Sequence, residues 1–481
     1  MTPHGSILRS IRLLIVCGLL FASLDPSHQA SALDARVSYS GYGTRIGGSC
    51  NGKGLIITNG SDLLVCKKGV VHYALRSDVP RAPVGGYTKR PFWYPTLAKL
   101  TSLRTEPTCR PSSIKFTHSV LPLDQITSII PYGAVISDHV TPIDHAYIGI
   151  KSLNKDPSAR TQSDWVPVVS PAAGTIIEVQ SLGSQTSHRV VIRHGCNLVS
   201  VFMVVNKLTG VLAPYAEQIK NGGQVRINLA IKAGQEFGRQ RDNPLDFNIW
   251  NGTKWLTGYA EPFSYLYGEA WKVYTADPLP FFTPTIRAVY ESNMQRTTAP
   301  RFGKIDYDIV GTASGNWFLA GTIGYSGASI AQIANATRPI PGGSVRGKNT
   351  YAYGHLSISP HEVDTGKWIF STGWWQDPAG DPKQLLISIA AGQPTPDKLT
   401  ASSGLVVYQL NQYSFVEPAG SPPRGLYSPR SVGYTLSTEM AAGVVAMQVN
   451  ANGTLSMEVN PSMTSISQFT GFTAAKRTYH R

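Results

Sequence analysis

Leu245-Asp-Phe-Asn-Ile-Trp250 is the last of a series of short apolar runs whose reading decides how this chain folds. The series opens at His139-Val-Thr-Pro-Ile-Asp144-His145 and passes through Val166-Pro-Val-Val-Ser-Pro-Ala-Ala-Gly174-Thr-Ile-Ile-Glu-Val179. Val190-Val-Ile-Arg-His194-Gly-Cys196 and Ile231-Lys-Ala-Gly-Gln-Glu-Phe-Gly238 follow. Each run is closed by Gly or Pro, which reads as β-strands joined by tight turns.

The surrounding chain agrees with a mainly β protein. Hydrophobic residues make up 42% of the 481 and charged residues 15%, enough for a core and contrary to wholesale disorder. The 46 Gly and 33 Pro stand among many Val, Ile, Thr and Tyr, a mixture that favours strands and turns over helices. Length alone suggests about two to four domains. Composition shifts place the boundaries as follows: residues 1–32 a signal peptide, 33–111 an N-terminal β-rich segment, 112–284 the central domain, 285–304 a polar linker, and 305–481 a C-terminal antiparallel β domain.

The signal peptide has Arg9 and Arg12 ahead of the apolar Leu13–Leu24 run, with Ala30-Ser-Ala32 as cleavage site. No apolar run is long enough to span a bilayer, so the mature protein is expected to be secreted or periplasmic with no transmembrane span. Cys50, Cys66, Cys109 and Cys196 remain after cleavage. Four cysteines in an exported chain read as two disulfides. Cys50 and Cys66 flank Gly54-Leu-Ile-Ile-Thr-Asn-Gly60, a strand and an Asn-Gly turn, so a local bridge is the simplest pairing and Cys109 would join Cys196. The formal charge of +14 points to an envelope polyanion or glycan, or an envelope protein, as partner. Lys and Arg are scattered, with no basic helix or aromatic-basic repeat, which argues against sequence-specific nucleic-acid recognition.

In this order the central runs resemble the core of the lysostaphin-type (LytM-like, duplicated hybrid motif) zinc metallopeptidases. The resemblance rests on the strand-turn-strand around Gly174, the Ile231–Gly238 step and the closing strand at Leu245. The same strands are also similar to biotinyl and lipoyl carrier domains. The family resemblance implies a central β barrel or sandwich. It also implies a zinc ion held by His-x-x-x-Asp and His-x-His, with the fourth position left to water. His145 stands where the first His is expected, but Gly149 replaces the Asp; slipping by two residues offers Tyr147 and Lys151, and a protonated Lys binds no zinc. Asp246 and Asn248 replace His-x-His, and an amide is a poor zinc ligand.

The resemblance therefore implies a degenerate member with its zinc ligands lost and no catalytic residues. Degenerate members bind partners or cell-wall material instead of cutting it. The expected function is that of an exported envelope protein with a non-catalytic peptidase-like domain and no cofactor. Its binding cleft is expected near His139–His145, His194 and Asp246. The alternative is a zinc peptidase or hydrolase with a rearranged set, drawn from His139, Asp144, His145, His194 and Asp246, with His188 in the same domain.

Beyond residue 305 the runs 315–318, 366–370, 385–391, 404–410, 443–449 and 455–459 read as antiparallel strands, the last two joined by a hairpin at Asn450-Ala-Asn-Gly453. Their spacing suggests a barrel of lipocalin-like order. Trp374, Trp375 and Gln376 are candidates for binding a sugar or hydrophobic ligand if exposed, whereas Trp368 reads as core. His355, His361 and Asp364 could imitate a hydrolase loop. Glu178 is expected to face solvent, and Asp306 and Asp308 to share a solvated strand face. The chain holds no G-x-S-x-G elbow, P-loop or dinucleotide fingerprint.

Overall fold

The glycine-marked runs of the central region become strands of two antiparallel sheets. The structure, a computed structural model, describes residues 46–50, 54–57, 63–83, 86–101, 110–184, 186–220, 222–336, 352–375, 382–421 and 431–481. The signal peptide, the Asn59-Gly60 turn, Cys109 and Gln376 lie outside them. Strands β1 (Gly54–Ile57), β2 (Leu63–Lys67) and β3 (Val70–Tyr73) form a small sheet, and the Cys50–Cys66 bridge is present. Cys196 is disulfide-bonded as well.

The central strands are β4 (Ile126–Ile130), β5 (Ala146–Ile150), β6 (Val166–Val169), β7 (Gly174–Ser184) and β8 (Ser187–Gly195). They continue with β9 (Leu198–Val205), β10 (Lys207–Leu208), β11 (Gln224–Ile231), β12 (Glu236–Gln240) and β13 (Leu245–Asn251). Seven of them form a sheet in the order β11-β7-β8-β9-β13-β5-β4, and β10-β12-β6 form a second sheet. Phe202 of β9, Phe237 of β12 and Phe247 of β13 meet at 4.9 and 5.4 Å between ring centroids, joining the two sheets through their aromatic side chains. Burying one such side chain contributes about 1.5–3 kcal/mol. Gly174 has no room for a side chain: a Cβ would lie 2.6 Å from the Arg193 carbonyl oxygen. Between β10 and β11 the chain forms a 3-10 turn, Gly210–Tyr215, running into the α-turn Ala216–Ile219. Gly223 N–H caps it on the Ile219 carbonyl at 3.2 Å.

The N-terminal segment shares the central core. Trp93 and Tyr94 are fully buried, packed on Phe263 and Trp255 respectively, and the Tyr94 hydroxyl donates to the Ala270 carbonyl at 2.9 Å. The stretch read as a linker at 285–304 begins instead as a helix, Pro284–Asn293. It buries Ile286 and Tyr290, and the Tyr290 hydroxyl meets Ser119 Oγ at 3.1 Å. Its polar residues lie on the outer face of this amphipathic helix.

The C-terminal strands are β14 (Gly315–Leu319), β15 (His355–Pro360), β16 (Trp368–Thr372) and β17 (Lys383–Ser388). They are followed by β18 (Val406–Val416), β19 (Thr435–Val449), β20 (Leu455–Asn460) and β21 (Arg477–His480). Each pairs with the next, and β21 pairs back with β14, which closes an eight-stranded barrel. Alternate residues from every strand, among them Trp317, Ile358, Phe370, Leu385, Tyr408, Met447, Met457 and Tyr479, join one apolar cluster that fills the barrel. The other face of β14 and β15 packs on the central unit: Asn316 Nδ2 donates to the Tyr265 hydroxyl at 2.8 Å, and Phe318 meets the Tyr265 ring at 5.6 Å.

Asp306 and Asp308 sit at this junction, in non-strand backbone, and neither faces solvent as the alternating pattern suggested. Asp306 accepts from Gly258 N–H at 2.8 Å and pairs with Lys304 at 3.0 Å. Asp308 accepts from Ala260 N–H at 2.9 Å and Asn316 N–H at 2.7 Å. Among the described residues, no helix is long and apolar enough to cross a membrane.

Candidate functional site

Alternation along β13 puts Asp246, Asn248 and Trp250 on one face of the sheet and Leu245, Phe247 and Ile249 on the other. Asp246 stands opposite Tyr147 of β5 and Met203 of β9. His145, one residue before β5, reaches the same face. Its Nε2 lies 3.6 Å from Asp246 Oδ2 and its Nδ1 3.3 Å from Asp144 Oδ1. Asn248 Nδ2 donates to the other Asp144 oxygen at 3.1 Å, so one carboxylate holds both the imidazole and the amide. The His139 ring packs edge-on against His145, 5.6 Å between centroids. The structure thus brings together four of the five candidate metal residues, His139, Asp144, His145 and Asp246, and adds Asn248.

The segment after β13 covers this face through the 3-10 turns Pro262–Tyr265 and Ala270–Tyr274. Trp271 packs on Trp250 at 5.6 Å, and the Arg189 guanidinium lies 5.8 Å from the centroid of each ring. Arg189 is ion-paired with Glu178 across β7 and β8; this half-buried pair replaces the solvent-facing Glu178 of the sequence reading. Lys272, in the second of these turns, is buried on its inner side. Its ammonium pairs with Glu269 at 3.1 Å, donates to the Pro142 carbonyl at 3.3 Å, and lies 5.0 Å from the Tyr325 ring centroid. Lys272 and Glu269 were not singled out from the sequence, although their i, i+3 spacing in an aromatic-rich stretch was the available signal.

Burial dominates the electrostatics here. It would raise Asp144, but the His145 hydrogen bond and the Lys272 charge hold that carboxyl at about 2. Burial opposes charging His145, yet the Asp246 and Asp144 carboxyls raise it above the usual imidazole value. Asp246 is pushed up to about 7 by burial, only partly offset by His145. His139 is pushed down to about 3 by burial, then by His145 and Lys272. Asp144 and His145 are therefore the ion pair of the cluster, and Asp246 exchanges a proton near neutrality.

These residues do not fit a catalytic zinc centre, which needs three protein ligands and a water position. His145 Nε2 and Asp246 Oδ2 are the two zinc-quality donors facing each other. Asp144 is engaged by the other imidazole nitrogen and by Asn248, whose own carbonyl is a neutral donor. The Lys272 charge acts on the same group of side chains. His145 Nε2 and Asn248 Oδ1 are buried without a hydrogen-bond partner among the described residues. Among those residues, no group of three or more His, Cys, Asp or Glu is arranged to hold a metal.

His194, the fifth candidate, is on the wrong face. Its Nε2 meets Ser200 Oγ at 2.7 Å and its Nδ1 meets the Ala173 carbonyl at 3.0 Å, with Phe116 packed against the ring at 5.3 Å. Ser200 pairs with Ile249, so it shares the Phe247–Ile249 face and not that of Asp246. His188 likewise bonds a backbone carbonyl, that of Val205, at 2.9 Å. Burial pushes His194 down to about 4. With the folded value below the ordinary 6.5, its stabilisation is complete above pH 6.5 and is lost as the pH falls toward 4. Wild type is therefore expected to lose about 2 kcal/mol more than His194→Asn between pH 7 and pH 5. Urea unfolding at the two pH values measures this, and parallel curves would remove the assignment.

The C-terminal candidates are structural in their contacts. Trp375 belongs to the barrel's apolar cluster, so of the two readings open for it, core or platform, it takes the buried one. Trp374 is half-buried, stacked with Arg477, and Trp368 packs against the barrel core. His355 meets the Tyr325 carbonyl at 2.9 Å, His361 accepts from the N–H groups of Val363 and Asp364 at 3.1 Å, and Asp364 accepts from Leu436 N–H at 2.9 Å.

A cleft of about 890 Å³ lies at the far end of β13, lined by Asn251, Thr275, Asp277, Phe281 and Tyr132 among others. No known family model matches the chain, and a search of curated proteins finds no significant match.

Proposed function

We propose that this protein is an exported envelope protein that binds cell-wall material or a protein partner and does not cut it. Its central unit is read as a lysostaphin-like domain that has exchanged its zinc set for an internal charge cluster, and its C-terminal barrel as lipocalin-like in order. One observation carries the reading. On the sheet face where the resemblance puts a zinc centre, Asp144, His145, Asp246 and Asn248 bond mainly to one another and are buried beneath the Lys272 segment. A substrate peptide would have to displace that cover before reaching any nucleophile. The filled interior of the barrel gives the carrier alternative less support.

The test is elemental analysis of protein purified without chelators, with peptidoglycan and peptide cleavage assays run alongside. The expected result is zinc well below one equivalent and no cleavage. One equivalent of zinc that disappears in His145→Ala, together with zinc-dependent cleavage, would establish a rearranged hydrolase instead.

A further inference from the structure

The cleft at the end of β13 has volume and exposed charge, which the buried histidine cluster lacks, together with unspent hydrogen-bonding capacity of its own. We propose that it binds an acidic saccharide, a sugar unit bearing carboxylate or phosphate; this deepens the envelope-binding reading and rests on it.

Its floor is built by the chain that follows the second 3-10 turn. Thr275 forms an isolated bridge with Trp250, and Ala276 N–H donates to the Ile249 carbonyl at 3.1 Å, so residues 275–277 are held along the end of β13. Thr275 is only 4% exposed, yet its hydroxyl has no hydrogen-bond partner among the described residues. A buried hydroxyl left unpaired costs about 1–3 kcal/mol, which a ligand's polar group would recover. Asp277 spends one oxygen on Leu279 N–H at 2.9 Å and keeps the other for a donor. The Tyr132 hydroxyl accepts from Ile249 N–H at 3.4 Å, so its own proton is left to donate. Behind Tyr132, Gly303 sits at φ +95°, and any Cβ there would strike the Tyr132 carbonyl oxygen, so this wall requires glycine.

A carboxylate and two hydroxyls over an apolar wall containing Phe281 suit the hydroxyls and C–H face of a sugar ring. Lys254 and Arg110, both exposed, line the cleft together with the Lys304–Asp306 ion pair, so three cations stand against the two carboxylates of Asp277 and Asp306, and the whole chain carries +14. That charge selects an anionic sugar over a neutral one. The volume of about 890 Å³ is within the usual range for a ligand of two or three rings.

The experiment is titration calorimetry of the full mature chain with trigalacturonate, glucose 1-phosphate and neutral maltotriose, at low and moderate salt. At least one acidic probe is expected to bind and maltotriose to bind at least tenfold more weakly. Lys254→Glu, a surface change, should weaken the acidic probe tenfold or more and flatten its salt dependence. Thr275→Val, of similar shape, should weaken it by about fivefold to tenfold. Binding unaltered in both variants would place the glycan elsewhere and overturn the site while leaving the envelope-binding reading intact. Failure of wild type to bind either acidic probe, or equal binding of maltotriose, overturns the ligand class. The envelope-binding reading itself falls only on zinc-dependent cleavage, scored separately on the same preparation.

Discussion

Lys272→Met is expected to destabilise the protein by about 3–5 kcal/mol, the usual result of removing one partner from a buried ion pair. The Lys272 ammonium is 2% exposed by residue and holds Glu269 at 3.1 Å. It also lowers Asp144, so its loss leaves the carboxylates on that side of the cluster less compensated. Methionine fills most of the space, so packing loss is a small part of the effect. Adding Glu269→Gln in the same chain should restore a large share, because the uncompensated charge goes with it. Urea unfolding of the single and double variants measures both numbers. A single-variant change under about 1 kcal/mol would mean that water already solvates the pair and that the cover over the cluster is loose.

Asp308→Ala is expected to cost a similar amount, about 3–5 kcal/mol, for a different reason. Its carboxylate receives the N–H groups of Ala260 and Asn316, one from the central unit and one from β14 of the barrel. Arg481, at the end of β21, approaches the same carboxylate at 3.8 Å and lies 3.9 Å from the Trp317 ring centroid. Alanine strands two N–H groups and removes the counter-charge of the buried Arg481 guanidinium, which keeps its hydrogen bonds to the Ser314 and Thr312 carbonyls. Asp308→Asn keeps an acceptor oxygen and should cost about half as much. If the junction joins the two units as this geometry implies, the alanine variant will also separate their unfolding transitions. A single transition at the wild-type midpoint would show that the junction contributes little.

Local features were legible because local chemistry decides them. The β-strands at 315–318, 385–391 and 443–449 are apolar runs with turn residues at their ends, and each is a strand of the barrel. The Cys50–Cys66 bridge joins cysteines 16 residues apart in sequence, so its short separation made it the simplest pairing. The grouping of Asp144 with His145 was also readable, since the two are adjacent in the chain.

What residues distant in sequence do to one another was not readable. Whether His194 meets Asp246 depends on strand register, and a one-residue slip changes the face. β8 and β9 shift register between Arg193 and Gly195, and no run of apolar residues announces that shift. Glu178 looked solvated until the β7–β8 pairing placed Arg189 beside it. Trp375 was open to either a platform or a core role until the barrel took it into its apolar cluster. By itself the sequence determined a mainly β chain and the approximate places of many of its strands, and it holds no complete His-x-x-x-Asp and His-x-His set at the positions of the resemblance. Only the tertiary structure decided that Asp144, His145, Asp246 and Asn248 form a closed cluster under Lys272. Hydrogen bonds and ion pairs are made between faces, and faces are assigned by register and by the segment that folds over them.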